Sequence, residues 1–424
     1  MRVAMQVFHD GERFPMLLGD DNVPLFEPLV WVATKYRAAS AASMEAALRG
    51  AMFLHRFCDR HQINLSMRLK RGNVFSLTEI EALLREALIP AKFANDEVSV
   101  GRMRNRSRKS QDEAYLPKRI PASRKAATVK SSTVAHRLMF ATQYVLWLAD
   151  RRVVSILESD YGSQRTEERI TRYLAAVQRT VTAIQAQIPT PSSGDRLSLG
   201  DAGKKLFMQV VDPKSSQNPW KRPFIKVRNG ALAQLLLAVG IRRGELLALR
   251  RRDFDRREGI LKIVRRQDDP TYPKKRQSNV KTKERDLALT EDMCRVLEAY
   301  LVERNKIAPA RKHDVLFVAQ NGAPLSESSF TAIFGVLKTR FPLLGPLCGH
   351  VLRHQWNEDY SNLADREGMS EKDENETRIY NMGWSEKSHM PSHYNRRRIR
   401  KKATEFSLKH QSQVMANATI KPDE

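Results

Sequence analysis

The chain has 424 residues, enough for two or three domains of ordinary size and too many for one small module. Hydrophobic residues make up 41% and aromatics 7%, which supplies real cores and excludes wholesale disorder driven by charge. Lys+Arg 73 against Asp+Glu 48 leaves a net charge of +25, a surplus that points to a polyanionic partner.

In chain order, Met1 to Leu18 is interrupted by His9, Asp10, Glu12 and Arg13, so it lacks a signal-peptide core, and residues 1–24 read as an N-terminal extension. A helical unit is expected over 25–188. From Pro28 to about Pro90 the pattern is helical, with Met44, Leu48, Ala51, Leu54 and Cys58 recurring at three- and four-residue steps on one face. A second helix is expected from about Leu77 to Leu88. A basic insertion at about 99–130 follows, carrying Arg102, Arg104, Arg106, Arg108, Lys109, Lys118, Arg119, Arg124 and Lys125 with little apolar content between them. It reads equally as a solvated segment or as a strap over DNA phosphates. Helicity resumes with Val134, Leu138, Ala141, Val145 and Leu148, and another helix is expected over Glu167 to Gln187. Together these make a compact all-α unit.

Pro189, Pro191, Ser192, Ser193 and Gly194 break the helical pattern and mark a linker at 189–204. The second domain, 205–405, opens with a helix whose Leu232, Leu235, Leu236 and Val239 share a face and which stops at Gly240. A short helix is expected at Gly244 to Arg250. Ile260 to Val264 and Leu287 to Leu289 are short β-type runs, joined through Pro270, Pro273, Lys274 and Lys275. Further helices are expected at Glu291 to Arg304, Ser326 to Leu337, His350 to Ala364 and Ser385 to Phe406, with a tail at 406–424 and no internal repeat. The expected class is mainly α, with a small antiparallel β-sheet in the C-terminal domain.

Cys58, Cys294 and Cys348 are too few and too scattered for a disulfide framework. No run approaches the ~20 apolar residues of a membrane span, so a soluble cytoplasmic protein is expected. Membrane-surface binding would concentrate lysines on one amphipathic helix. Arginines here recur along the whole length, which suits nucleic acid better.

Four segments place a cationic or hydrogen-bonding side chain where a phosphate could sit. In Gly240-Ile241-Arg242-Arg243-Gly244-Glu245-Leu246 an arginine stands between one helix's end and the next helix's start, where free N–H groups also favour anions. Lys281-Thr282-Lys283-Glu284-Arg285 puts a lysine at the turn into a β-type run. In Gly349-His350-Val351-Leu352-Arg353-His354, His350 and Arg353 lie three apart on one helix face. Gly383-Trp384 precedes Ser392-His393-Tyr394-Asn395 and the run Arg396, Arg397, Arg398, Arg400, Lys401, Lys402. The pairs His350/His354 and His389/His393 have the four-residue spacing of zinc ligands. Both lack the intervening Glu and an evident third ligand, so no metal is expected.

The ordered set Arg242, Lys281, His350-x-x-Arg353, Trp384 and Tyr394 resembles the catalytic domain of the tyrosine recombinase (phage integrase) family, over roughly Arg228 to Lys402. The helical unit before the proline cluster is similar to that family's core DNA-binding domain. The resemblance implies site-specific recombination of double-stranded DNA through a 3′-phosphotyrosyl intermediate, with no cofactor. It also implies four protomers on two DNA sites, with accessory proteins in some systems and a nucleoid-associated location. Tyr394 is the implied nucleophile. Arg242 and Arg353 would hold the phosphate oxygens, His350 would act as general base, Lys281 as acid toward the departing 5′-oxygen, and Trp384 would support. Glu245 would orient Arg242 or cap its helix. Three departures stand out: Val351 where an acidic residue often follows the histidine, Trp384 where histidine is commoner, and ten residues from Trp384 to Tyr394. Tyr380 is a distant competitor for the nucleophile and Lys283 for the lysine. A type IB topoisomerase-like activity and a catalytically inactive DNA-binding accessory protein are the alternative readings.

Overall fold

The computed structural model describes residues 1–90, 128–159, 164–190, 198–278, 280–386, 388 and 403–415. Tyr394, His389, His393, the arginine run after Tyr394, Pro191 to Gly194 and the basic insertion up to residue 127 lie outside the described residues. By its internal contacts the chain divides into two compact units, Met1–Phe8 with Arg13–Gly194 and His9–Glu12 with Asp195–Glu424.

The first unit opens with an antiparallel hairpin of β1 (Arg2–Val7) and β2 (Arg13–Leu18), paired from Arg2↔Leu18 to Val7↔Arg13. The hairpin lies within residues 1–24, read from the sequence only as an extension ahead of the helical unit. Pro15 obscures the second strand in sequence, and the pair draws its support from packing, with Phe14 and Leu17 buried. The helical stretch expected over 28–90 resolves into α1 (Phe26–Lys35), α2 (Ala41–Arg60), α3 (Leu65–Arg71) and α4 (Leu77–Ala87). Caps set the breaks. Asn64 Oδ1 accepts the Met67 N–H at 2.9 Å, and Ser76 forms a reciprocal capping box with Glu79. α5 (Ser131–Ser159) and α6 (Gln164–Gln185) complete the unit. Met44, Leu48, Ala51, Leu54 and Cys58 are all buried, as their spacing implies. α2 meets α5 at Gly50, where a Cβ would lie 2.3 Å from Phe140 Cβ.

The second unit is arranged around α8 (Pro223–Val239), buried from Arg228 through Leu236 on almost every side and packed by α7 (Gly200–Val211), α10 (Glu291–Asn305) and α12 (Gly349–Arg366). α9 (Arg243–Ala248) leads into a three-stranded antiparallel sheet in the order β3 (Phe254–Asp255), β4 (Ile260–Ile263), β5 (Arg285–Ala288). Leu261 and Leu287 pair on its buried face. α11 (Glu327–Arg340) and α13 (Glu371–Met382) complete it. The fold is therefore mainly α with small antiparallel sheets. Two further differences from expectation follow. Ser385 and Glu386 are not helical, so the helix expected to start there does not, and a helix at 403–415 occupies part of the expected tail with its residues exposed. Among the described residues, no helix is long and apolar enough to cross a membrane.

Candidate active site

The site forms where helix ends meet. α8 closes at Gly240, with φ +64° and its N–H on Leu236 O at 3.1 Å. A Cβ there would lie 2.8 Å from Trp356 Cγ and 2.9 Å from Met382 Cε, so backbone angle and space both demand glycine. Ile241 dips into the core, and Arg242 becomes the N-cap of α9. Glu245, one turn on, accepts the Arg242 N–H at 2.8 Å and so fixes the backbone from which that side chain departs.

Arg353 comes from the first turns of α12 and is only 2% exposed. Its Nη1 donates to Gly240 O at 2.6 Å and its Nη2 to Met382 O at 3.1 Å. Arg242 Nη1 donates to that same Met382 oxygen at 3.4 Å, with a third of its side chain still in solvent. Two guanidinium groups from different helices thus converge on one atom. The atom is a carbonyl at the C-terminal end of α13, where unpaired carbonyls and the negative end of the helix dipole favour cations. Trp384 follows two residues later, buried, its ring 5.7 Å from Arg353 Cζ, within reach of a cation–π contact.

Lys281 lies in the extended stretch leading to β5, where exposure alternates: Lys281 out, Thr282 in, Lys283 out. Thr282 Oγ1 donates to Glu245 Oε1, and the Lys283 N–H donates to Gly383 O at 3.0 Å. The stretch is therefore tied both to α9 and to the turn after α13. Lys283 Nζ is paired with Glu386 at 2.9 Å, while Lys281 has no ion pair among the described residues. His350 stands exposed one turn before Arg353, its ring 4.4 Å from that of His354. Val351 is buried in the core beneath α12, and Tyr380 is exposed, its hydroxyl donating to Asp286 O at 3.4 Å. Among the described residues no group of three or more His, Cys, Asp or Glu is placed to hold a metal.

The structure adds Arg285, which sequence reasoning quoted within the lysine segment without singling it out. Its guanidinium is buried against Glu245, Nη2 to Oε2 at 3.0 Å, and its Nε donates to Asn381 O at 2.7 Å. An available signal was its inward register on β5, two residues before the buried Leu287. Burial pushes the Glu245 carboxyl up, but the Arg285 and Arg353 charges and hydrogen bonds from Arg285 and Thr282 outweigh it. The group is held below its ordinary value and stays ionised.

Residues 216–398 match the model of the phage integrase family, and that stretch holds Arg242, Lys281, His350, Arg353, Trp384 and Tyr394. The chain is 27% identical over 183 residues to the tyrosine recombinase XerD of Halalkalibacterium halodurans, covering 42% of this chain and 56% of that protein. It is 27% identical over 172 residues to the tyrosine recombinase XerD of Listeria monocytogenes, covering 40% of this chain and 51% of that protein. The chain thus spans about half the length of the curated relatives it matches. Among solved structures, the Tn1549 transposon integrase in complex with transposon right end DNA aligns with a TM-score of 0.35 at 16% identity, over 66% of this chain and 89% of that one. The XerH site-specific recombinase bound to difH gives 0.35 at 16% identity, over 65% and 70%.

Proposed function

We propose that the protein is a tyrosine-type site-specific DNA recombinase that cuts and rejoins strands through a 3′-phosphotyrosyl link. The observation that carries this reading is the convergence of Arg242 and Arg353 on one oxygen, because a phosphodiester under attack needs two fixed cations at its non-bridging oxygens. Tyr394 attacks the phosphorus, and His350 takes its proton. The P–O5′ bond breaks, and Lys281 protonates the departing oxygen to leave a 5′-hydroxyl. The arginines stay charged throughout and bind phosphate oxygens in pairs. Trp384 has a donor N–H and no titratable proton, so its part is packing and positioning. Double-stranded DNA is the partner, held by the helical unit (25–188) and the catalytic unit (205–405), with four protomers assembling on two sites.

The test uses a library of randomised duplexes, each carrying a nick that lets the cleaved end diffuse away. The protein should become covalently attached to a defined oligonucleotide, with Tyr394 modified, and Tyr394→Phe should yield no adduct. Binding without any adduct would support the accessory reading instead. Relaxation of supercoiled DNA with no exchange between two sites would support the topoisomerase-like one.

A further inference from the structure

Among the described residues Lys281 makes no side-chain hydrogen bond or ion pair, yet the residues that follow it are held in place by groups buried beneath them. Thr282, next in the chain, is 5% exposed, and its hydroxyl is clamped between Glu245 Oε1 and Arg285 Nη1, the latter at 3.2 Å. Arg285 Nη1 also reaches Lys283 O at 3.3 Å, so one guanidinium grips the lysine stretch by a side chain and by a carbonyl. Its opposite edge holds Asn381 O in α13 and the Glu245 carboxylate in α9. Gly383 completes the clamp: a Cβ there would lie 2.5 Å from Arg285 Nη1 and 2.9 Å from Thr282 Cβ. This guanidinium thus joins the lysine stretch to α9, whose Glu245 fixes the Arg242 backbone, and to α13, whose Met382 oxygen meets Arg353.

We propose that Arg285, acting through Glu245 and Thr282, is the positioning residue that sets Lys281 over the departing oxygen; this rests on the functional reading above. In that step the phenolic oxygen of Tyr394 bonds to phosphorus, the P–O5′ bond breaks, and the Lys281 ammonium gives its proton to O5′. If Arg285 serves mainly this proton transfer, its loss is felt only when the leaving group needs a proton. An alkoxide does. A thiolate, whose parent thiol has an ordinary pKa near 8.5, does not.

The experiment compares adduct formation on two nicked duplexes of the sequence recovered in the covalent test, one with the normal O5′ and one with sulfur at that bridging position. Arg285→Ala should slow the oxygen duplex roughly 10²-fold, the scale of a lost general acid, and leave the sulfur duplex within about tenfold of wild type. Thr282→Val, which keeps the buried ion pair, should show the same selectivity at smaller size. Arg285→Lys should recover part of the rate. Equal losses on both duplexes, or undiminished rates on the oxygen duplex in Arg285→Ala and Thr282→Val, would overturn the proposal. Should Arg285→Ala fail to fold, Thr282→Val carries the test by itself. Absence of any wild-type adduct would overturn the functional reading and this inference with it, an outcome distinct from an adduct whose loss shows no oxygen–sulfur selectivity.

Discussion

The two candidate phosphate-binding arginines are not equivalent, although either should fail chemically when truncated. Arg242→Ala and Arg353→Ala are each expected to lower adduct formation by about 10²-fold or more, measured on the nicked duplex. Only Arg353→Ala should also destabilise the fold appreciably, because its buried guanidinium serves Gly240 O and Met382 O, whereas Arg242 is partly in solvent. Two abandoned carbonyls cost about 1–3 kcal/mol each when left dry, and a urea titration of both variants would separate the cases. Glu245 gives a pH prediction. Its folded-state pKa lies below the ordinary 4.5, so its ionisation stabilises the protein above that value. The contribution is lost as pH falls below 4.5 through the lower folded value, and the stability gap between wild type and Glu245→Gln should narrow in that window. Arg242, Lys281, His350, Arg353 and Trp384 could be named as candidates from the sequence, since their motifs are local. Met382 could not, because the atom on which the two arginines meet is a main-chain oxygen that no residue name advertises.

At the level of elements, junctions matter more than helix interiors. Gly240→Ala puts a Cβ on a left-handed residue, costing about 1–2 kcal/mol, and drives it into Trp356 and Met382 as well. A thermal melt should therefore fall by several degrees, and adduct formation should fall further, since Ile241 and Arg242 follow directly from that turn. The apolar helices were readable by their spacing, as α2 and α8 show. α13 was not. Its buried residues are Glu374, Arg378 and Met382, so the inward stripe of this helix is largely an ion pair, with Arg378 also bonded to Ser361, and no hydrophobic period marks it. The N-terminal hairpin was hidden for a different reason, a proline inside a strand that tertiary packing tolerates at an edge.

For the whole molecule the governing quantity is charge. A surplus of +25 should make DNA affinity collapse with ionic strength, by about 10³–10⁵ between 50 and 200 mM salt if six to ten phosphates are contacted. Filter binding over a salt series on the recovered duplex and on an unrelated one would show parallel slopes if this component is independent of sequence. A flat response would mean that the basic surplus does not face the duplex. Since arginine, lysine and histidine supply the electrostatic work in the proposed mechanism, adduct yield should be the same with and without EDTA.

The oxygen that gathers Arg242 and Arg353 belongs to the peptide bond between Met382 and Gly383, and this makes it invisible to genetics. All twenty genetically encoded residues at position 382 retain that atom, so even a saturation scan would report on packing alone. Semisynthesis could reach it. Installing glycolate at 383 turns the amide into an ester, blunts the basicity of the carbonyl and spares every side chain.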